Sequence, residues 1–281
     1  MQPWRARGVA FGAVRALALG CTALLAAGCS DAGEGPDPRQ HPTIVSLNPC
    51  TDAVLAEVAA PGQLLAISHY SHDPRASSMD IATARRFPVT GGTVEEVLAL
   101  NPDMVVAGGF LSPATQAAFT RLGVQVETFG IAGSVAESHE QTRRLAALVG
   151  DAAAGEALIQ RIDSSLQPEP QGDLPSATLW QPGGIVPGDT QLISELLRRA
   201  GFASHSARQG LGQADYLPLE RVVADPPDVL LVAGNQRGQS HPVLRDLPDM
   251  RLARLDPNLL FCGGPAIIRA MARLREVRES L

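Results

Sequence analysis

The chain contains no lysine, and all 23 of its basic residues are arginine. A Walker-type phosphate loop and a Schiff-base mechanism both need the lysine amine, so both are excluded. Aromatic residues make up only 4% of the 281 positions, which weighs against a very large macrocycle as ligand, because such rings rest on aromatic side chains. Neither a G-x-S-x-G elbow nor H-E-x-x-H occurs, so the hydrolase nucleophile turn and the helical zinc site are missing. His72 and Asp73 are adjacent, a spacing that does not orient an imidazole toward a serine. A secreted hydrolase therefore stands only as a competing reading, and the expectation is that the chain is not an enzyme. Positive charge is scarce as well. The formal net charge is −6, and without the first 28 residues, which hold three Arg and no acid, it is −9 (20 Arg against 29 acids). Such a surface repels nucleic acid.

The beginning of the chain reads as a leader. Arg5, Arg7 and Arg15 precede an apolar run from Ala16 to Gly28, the pattern of a secretory signal peptide over 1–28, with a run too short to span a bilayer. The segment LLAAGC ending at Cys29 resembles a bacterial lipobox, departing from it in having Ala26 three places before the cysteine. That resemblance implies lipidation at Cys29, a membrane anchor and a periplasmic location; cleavage without lipidation stays open. Residues 29–41 are polar and rich in Gly and Pro and read as a flexible tether.

The rest of the chain is organised around a repeat. TVEEVLALNPDMVVAG, from Thr93 to Gly108, recurs as PLERVVADPPDVLLVAG from Pro218 to Gly234. Glu95 aligns with Glu220, Val97 with Val222, Ala99 with Ala224 and Pro102-Asp103 with Pro227-Asp228. Each copy reads as a short helix, a Pro-Asp turn and a strand that is apolar at consecutive positions, as strands covered on both faces are. Thr93 with Glu96 fits a capping box, Pro218 suits the first helical position, and Pro102 and Pro227 bar continuation of either helix. Strands alternating with helices imply parallel sheets, whose ligands bind beyond the carboxyl ends of the strands. The expected architecture is two Rossmann-like α/β lobes, over 42–150 and 168–281, joined by a single long connecting helix over 151–167 with the ligand cleft between them. Gly155 is the connecting helix's one interior glycine, so large lobe closure is not expected.

The paired E-x-V-x-A-x-x-P-D segments, together with SLNPCTDAVLAEV from Ser46, resemble the periplasmic binding proteins that deliver ferric siderophores, cobalamin or haem to ATP-driven (ABC) importers. The likeness covers about residues 42 to 275. It implies a monomeric receptor with no intrinsic cofactor, a metal chelate as cargo, and an importer permease and ATPase as partners. It also implies that Glu95 and Glu220, one from each lobe, dock on arginines of the permease. Haem, or a transition metal bound directly, is the alternative cargo.

Several residues fall where a cleft should lie. His69, Tyr70, His72 and Asp73 directly follow a strand, and imidazole and phenolate are ligands for iron and other transition metals. Direct ligation by His69 and His72, lining without ligation, and a plain polar loop all remain open. Cys50 and Cys262 each precede a predicted helix, and a disulfide, separate buried thiols and metal ligation are the options. Trp180, Phe110, Tyr216 and Phe261 lie near predicted strand ends as aromatic walls, with core packing as the other reading, above all for Phe261. Arg75, Arg208 and Arg237 offer charge to a chelate's carboxylates.

Overall fold

The computed structural model describes residues 41–166, 168, 170 and 172–281. The leader, Cys29 and all of the tether but His41 lie outside the described residues. The first lobe comprises β1 (Ile44–Ser46), α1 (Pro49–Val58), β2 (Leu64–Ser68), α2 (Ile81–Ala84), β3 (Val89–Thr90), α3 (Val94–Ala99), β4 (Met104–Gly108), α4 (Pro113–Arg121) and β5 (Gln125–Phe129). Helices α5 (Val135–Leu148) and α6 (Ala152–Ser165) follow. The second lobe holds β6 (Ser176–Trp180), α7 (Leu192–Arg199), β7 (Ala203–Ser204), α8 (His205–Arg208), α9 (Leu219–Ala224), β8 (Val229–Val232), β9 (Arg251–Arg254) and α10 (Ala266–Glu279).

The two sheets run in the orders β3-β2-β1-β4-β5 and β7-β6-β8-β9, and their strand pairs are parallel. Removing β3 makes the orders superimposable, with β4 and β8, the strands of the repeat, in the same place. In each sheet the crossovers diverge on either side of the first strand, so the strand order reverses there and a crevice opens at the carboxyl ends.

Local chemistry sets the element ends. Asn48 caps α1 by accepting the Cys50 N–H at 2.7 Å, and Pro49 occupies the first helical position, where no N–H is needed. Thr93 caps α3 by accepting the Glu96 N–H at 3.3 Å. The expected capping box is only half realised, since the Glu96 carboxylate reaches the Gly91 N–H at 2.7 Å and the Thr90 hydroxyl at 3.0 Å. Pro218 is the N-cap of α9 with extended ψ, one place before the first helical position. Gly155 does not act as a hinge: it is buried where α6 crosses α5, and a Cβ there would press into that of Ala146.

The lobes share a core. One buried cluster contains Ile44, Leu55 and Ile67 of the first lobe, Leu158 and Ile162 of α6, and Leu179, Leu196 and Leu274 of the second. Each lobe has a further cluster of its own, around Val105 and Phe119 in the first and around Trp180 and Leu230 in the second. Polar bonds cross the junction too. Glu195 of α7 accepts the Val135 N–H at the start of α5 at 2.9 Å, Ser138 accepts the Gly264 N–H at 2.7 Å, and Asn258 donates to the Pro74 carbonyl at 2.9 Å. Helix α6 is the expected connection between the lobes, and α5 and α10 pack along it in the same seam.

Candidate functional site

The crevice is walled by the loops after β1, β2, β4 and β5 in the first lobe and after β6, β8 and β9 in the second. Its approach is tight. A Cβ on Gly108, which closes the first repeat, would collide with the Asn48 side-chain amide. One on Gly234, which closes the second at φ +132°, would meet Pro182 and Gln239 at 2.9 Å. The closing glycine of each repeat thus lets the loop after β1 or β6 lie against the end of its neighbouring strand.

At the floor Cys50 and Cys262 form a disulfide, with Cα atoms 5.1 Å apart and 212 residues between them in sequence. The bond joins the first turn of α1 to the segment before α10, one lobe to the other. It replaces the free-thiol and metal-ligand options, because bridged sulfurs do neither job. The Ser78 hydroxyl donates to the Cys262 sulfur at 2.7 Å.

The loop after β2 is a 3-10 turn, His69–His72. It is held from below by Asp52 of α1, which accepts the Ser71 hydroxyl at 2.6 Å and the Ser68 N–H at 3.0 Å. Asp52 has no exposure, and among the described residues its second oxygen has no partner and no cation pairs with it. Burial pushes its carboxyl up to about 8, against the opposing pull of these hydrogen bonds. The turn presents His69 and Tyr70 with ring centroids 4.1 Å apart, and Tyr70 is 56% exposed. His72 points elsewhere: its Nε2 lies 3.0 Å from the Ala84 carbonyl of α2, while His69 Nδ1 lies 3.3 Å from the Thr90 carbonyl. Among the described residues no three His, Cys, Asp or Glu side chains are grouped to hold a metal ion.

The aromatic candidates divide. Phe110, Tyr216 and Phe261 are 91%, 62% and 54% exposed at the loop ends, and Ile131 beside β5 is exposed with them. Phe261, for which core packing was the stronger expectation, is on the surface. Trp180 goes the other way and packs into the second lobe's own core, its indole N–H donated to the Leu217 carbonyl at 2.8 Å. Arg237 is exposed in the loop after β8. Arg75 pairs with Asp73, and Arg208 lies at the opposite end of the second lobe, beside His205 and the Asp225 that precedes β8. Glu95 and Glu220 are exposed in the first turns of α3 and α9, and among the described residues no hydrogen bond or ion pair engages either side chain.

Sequence reasoning missed Asp52, whose buried environment leaves no sequence pattern, and a set of glutamines. Gln181, Gln191 and Gln213 line a cavity of about 160 Å³ between the lobes, with Ile131, Leu260 and Phe261.

Comparison with known proteins agrees with this geometry. No curated protein sequence matches the chain. Solved structures do. The periplasmic haem-binding protein RhuT from Roseiflexus sp. RS-1 superimposes with a TM-score of 0.66 at 21% identity, over 84% of this chain and 98% of that one. The periplasmic haem-binding protein HutB of Vibrio cholerae gives 0.65 at 17%, over 84% and 98%. The periplasmic vitamin B12-binding protein BtuF of Vibrio cholerae gives 0.61 at 16%, over 85% and 96%. These likenesses show the fold. The periplasmic binding protein family matches residues 44–248, and with two parallel α/β lobes around a crevice, this chain belongs to that family.

Proposed function

We propose that the protein is a periplasmic solute-binding lipoprotein, anchored through Cys29, that captures a metal chelate and delivers it to an ABC importer. Ferric siderophores and cobalamin are the chelates that suit it best. The observation that carries the reading is the set Tyr70, Phe110, Ile131, Tyr216 and Phe261, exposed apolar side chains from both lobes at the carboxyl ends of the two sheets. Exposed apolar groups gathered on opposite walls of one crevice are a ligand surface, since leaving them in water gains nothing for folding. His69 and Tyr70 supply polar edges, and Arg237 a positive charge at the rim. Haem, or a transition metal bound directly, is the second reading. It is favoured by the paired His69 and Tyr70, either of which is an axial ligand for haem iron. For His72 to join a metal it must first leave the Ala84 carbonyl. Glu95 and Glu220 serve as the permease contacts: the repeat places them at matched positions, and among the described residues no hydrogen bond or ion pair occupies them.

The test is a titration of the purified mature protein with cyanocobalamin, a ferric hydroxamate and haemin, read by absorbance and calorimetry. One of them is expected to bind stoichiometrically without turnover, and Tyr70→Ala or Phe261→Ala to weaken it by about 1 kcal/mol or more, roughly fivefold. Glu95→Ala with Glu220→Ala is expected to leave that affinity intact while lowering the importer's ATPase stimulation, because rim charge governs docking. If none of the three binds, the reading falls.

A further inference from the structure

The cavity at the cleft floor has an unusual lining. None of its ten residues is charged, and three of them are glutamines. The two fully buried glutamines among the described residues have both ends of their amides engaged. Gln63 accepts from the Ala60 N–H and donates to the Val149 carbonyl, and Gln239 accepts from the Gln236 N–H and donates to the Trp180 carbonyl. In the cavity Gln213 uses only its oxygen, on the Gly188 N–H at 2.7 Å, which leaves both amide hydrogens free. Gln191 is the N-cap of α7 yet makes no capping bond. Neither its side chain nor that of Gln181 forms a hydrogen bond within the described residues. Gln181 and Gln191 are half-buried and Gln213 is exposed at the cavity's mouth, so among the described residues the donors of all three amides are unpaired, and a ligand that covered them without pairing them would bear their desolvation.

Resting on the solute-binding reading above, we propose that Gln181, Gln191 and Gln213 form a subsite for an uncharged amide- or hydroxyl-bearing arm of the ligand, so that the cleft selects neutral chelates over those whose arms end in carboxylates. The volume fits an arm, since whole-ligand pockets run to roughly 300–1,000 Å³. An amide offers a donor and an acceptor side by side and so matches another amide, a hydroxamate or a hydroxyl. A carboxylate entering the same space finds donors but no cation, and the rim arginine Arg237 does not line the cavity. A site built on hydrogen bonds rejects the wrong arm strongly, because its own polar groups are then stranded.

A matched pair of probes tests this: cyanocobalamin, whose periphery carries neutral amides, and its monocarboxylic acid, in which one amide is hydrolysed. The wild-type protein is expected to bind the amide form at least tenfold more tightly. Gln181→Leu and Gln191→Leu, which keep the bulk of the side chain and remove its polar end, are expected to erase most of that preference. Folding of each variant is checked by its thermal transition and by non-reducing mass of the intact disulfide. If the variants bind both probes as the wild type does, or the wild type shows no preference, the subsite is overturned while the solute-binding reading stands. If the wild type binds a ferric hydroxamate instead, the same variants are expected to weaken it at least fivefold, and unchanged affinity overturns the subsite. Tight haemin binding that the glutamine variants leave untouched overturns it too, and failure of every chelate to bind removes both readings together.

Discussion

The two lobes repeat one clamp. In the first, the Asp103 carboxylate accepts both the N–H and the hydroxyl of Thr43 at 2.8 Å, and the Asp103 N–H returns to that hydroxyl at 3.2 Å. In the second, Asp228 accepts the N–H and the hydroxyl of Ser176 at 2.7 Å, and its own N–H returns at 3.0 Å. Each clamp ties the start of one strand to the start of its neighbour, β1 to β4 and β6 to β8. The lobes differ in the carboxylate four places after the N-cap of their first helix. Asp52 is buried without a cation, whereas Glu195 meets Arg199 at 2.9 Å and also the Val135 N–H of the other lobe. Repetition thus fixes the base of each sheet, and divergence appears where a lobe faces the cleft loop or the seam.

The largest effect is expected where the lobes are joined. Closing a loop across 212 residues restricts the unfolded chain strongly, so Cys50→Ser with Cys262→Ser is expected to cost about 3–5 kcal/mol in denaturant unfolding. Because one hydrophobic cluster spans both lobes, the transition should remain single. Two separate transitions in the variant would show that the covalent bond, and not the shared core, makes the lobes one unit.

A smaller and symmetric effect tests the clamps. The Thr43 amide and hydroxyl hold the Asp103 carboxyl below its usual range, and the Ser176 hydroxyl and amide do the same for Asp228. Both acids sit near the surface, so Asp103→Ala and Asp228→Ala are each expected to cost about 1–2 kcal/mol, the lower part of the range for charged hydrogen bonds. They share no partner, so the double variant should lose the sum. Unequal costs would mean that the sequence repeat overstates the physical one.

Much of this was legible in the chain. The Pro-Asp turns, the consecutive apolar runs and the Thr93 cap located the repeated elements, because each depends on a few neighbouring residues. Strands β3 and β7 were not legible, since two residues carry no periodicity. Side-chain direction was the other blind spot. Trp180 and Phe261 both lie near strand ends, and only the Leu217 carbonyl waiting for an indole N–H sends one inward while the other stays in the crevice. The glutamine subsite and Asp52 depend on what surrounds them in space, of which a single sequence keeps no record.

The finest test concerns that difference in carboxylates. Asp52 titrates at about 8 in the folded chain and near 3.8 when unfolded, so between those values the folded state alone keeps the proton. Its contribution to stability is fully present below about pH 4, declines as pH rises, and is gone above about pH 8, with a slope of at most about 1.4 kcal/mol per unit. Asn is the isostere of the protonated acid and can still accept from Ser68 and Ser71. Asp52→Asn should therefore match the wild type below about pH 4, already lead it at pH 5, and gain on it steadily toward pH 8. Burial lowers His205, whose stabilising effect is lost as pH falls below about 6.5; it is common to both proteins and cancels in the difference. Denaturant midpoints of the pair at pH 5, 6, 7 and 8 read that difference directly. A constant gap across the series would mean that Asp52 is ionised in the folded chain, and that the turn carrying Tyr70 rests on a buried charge.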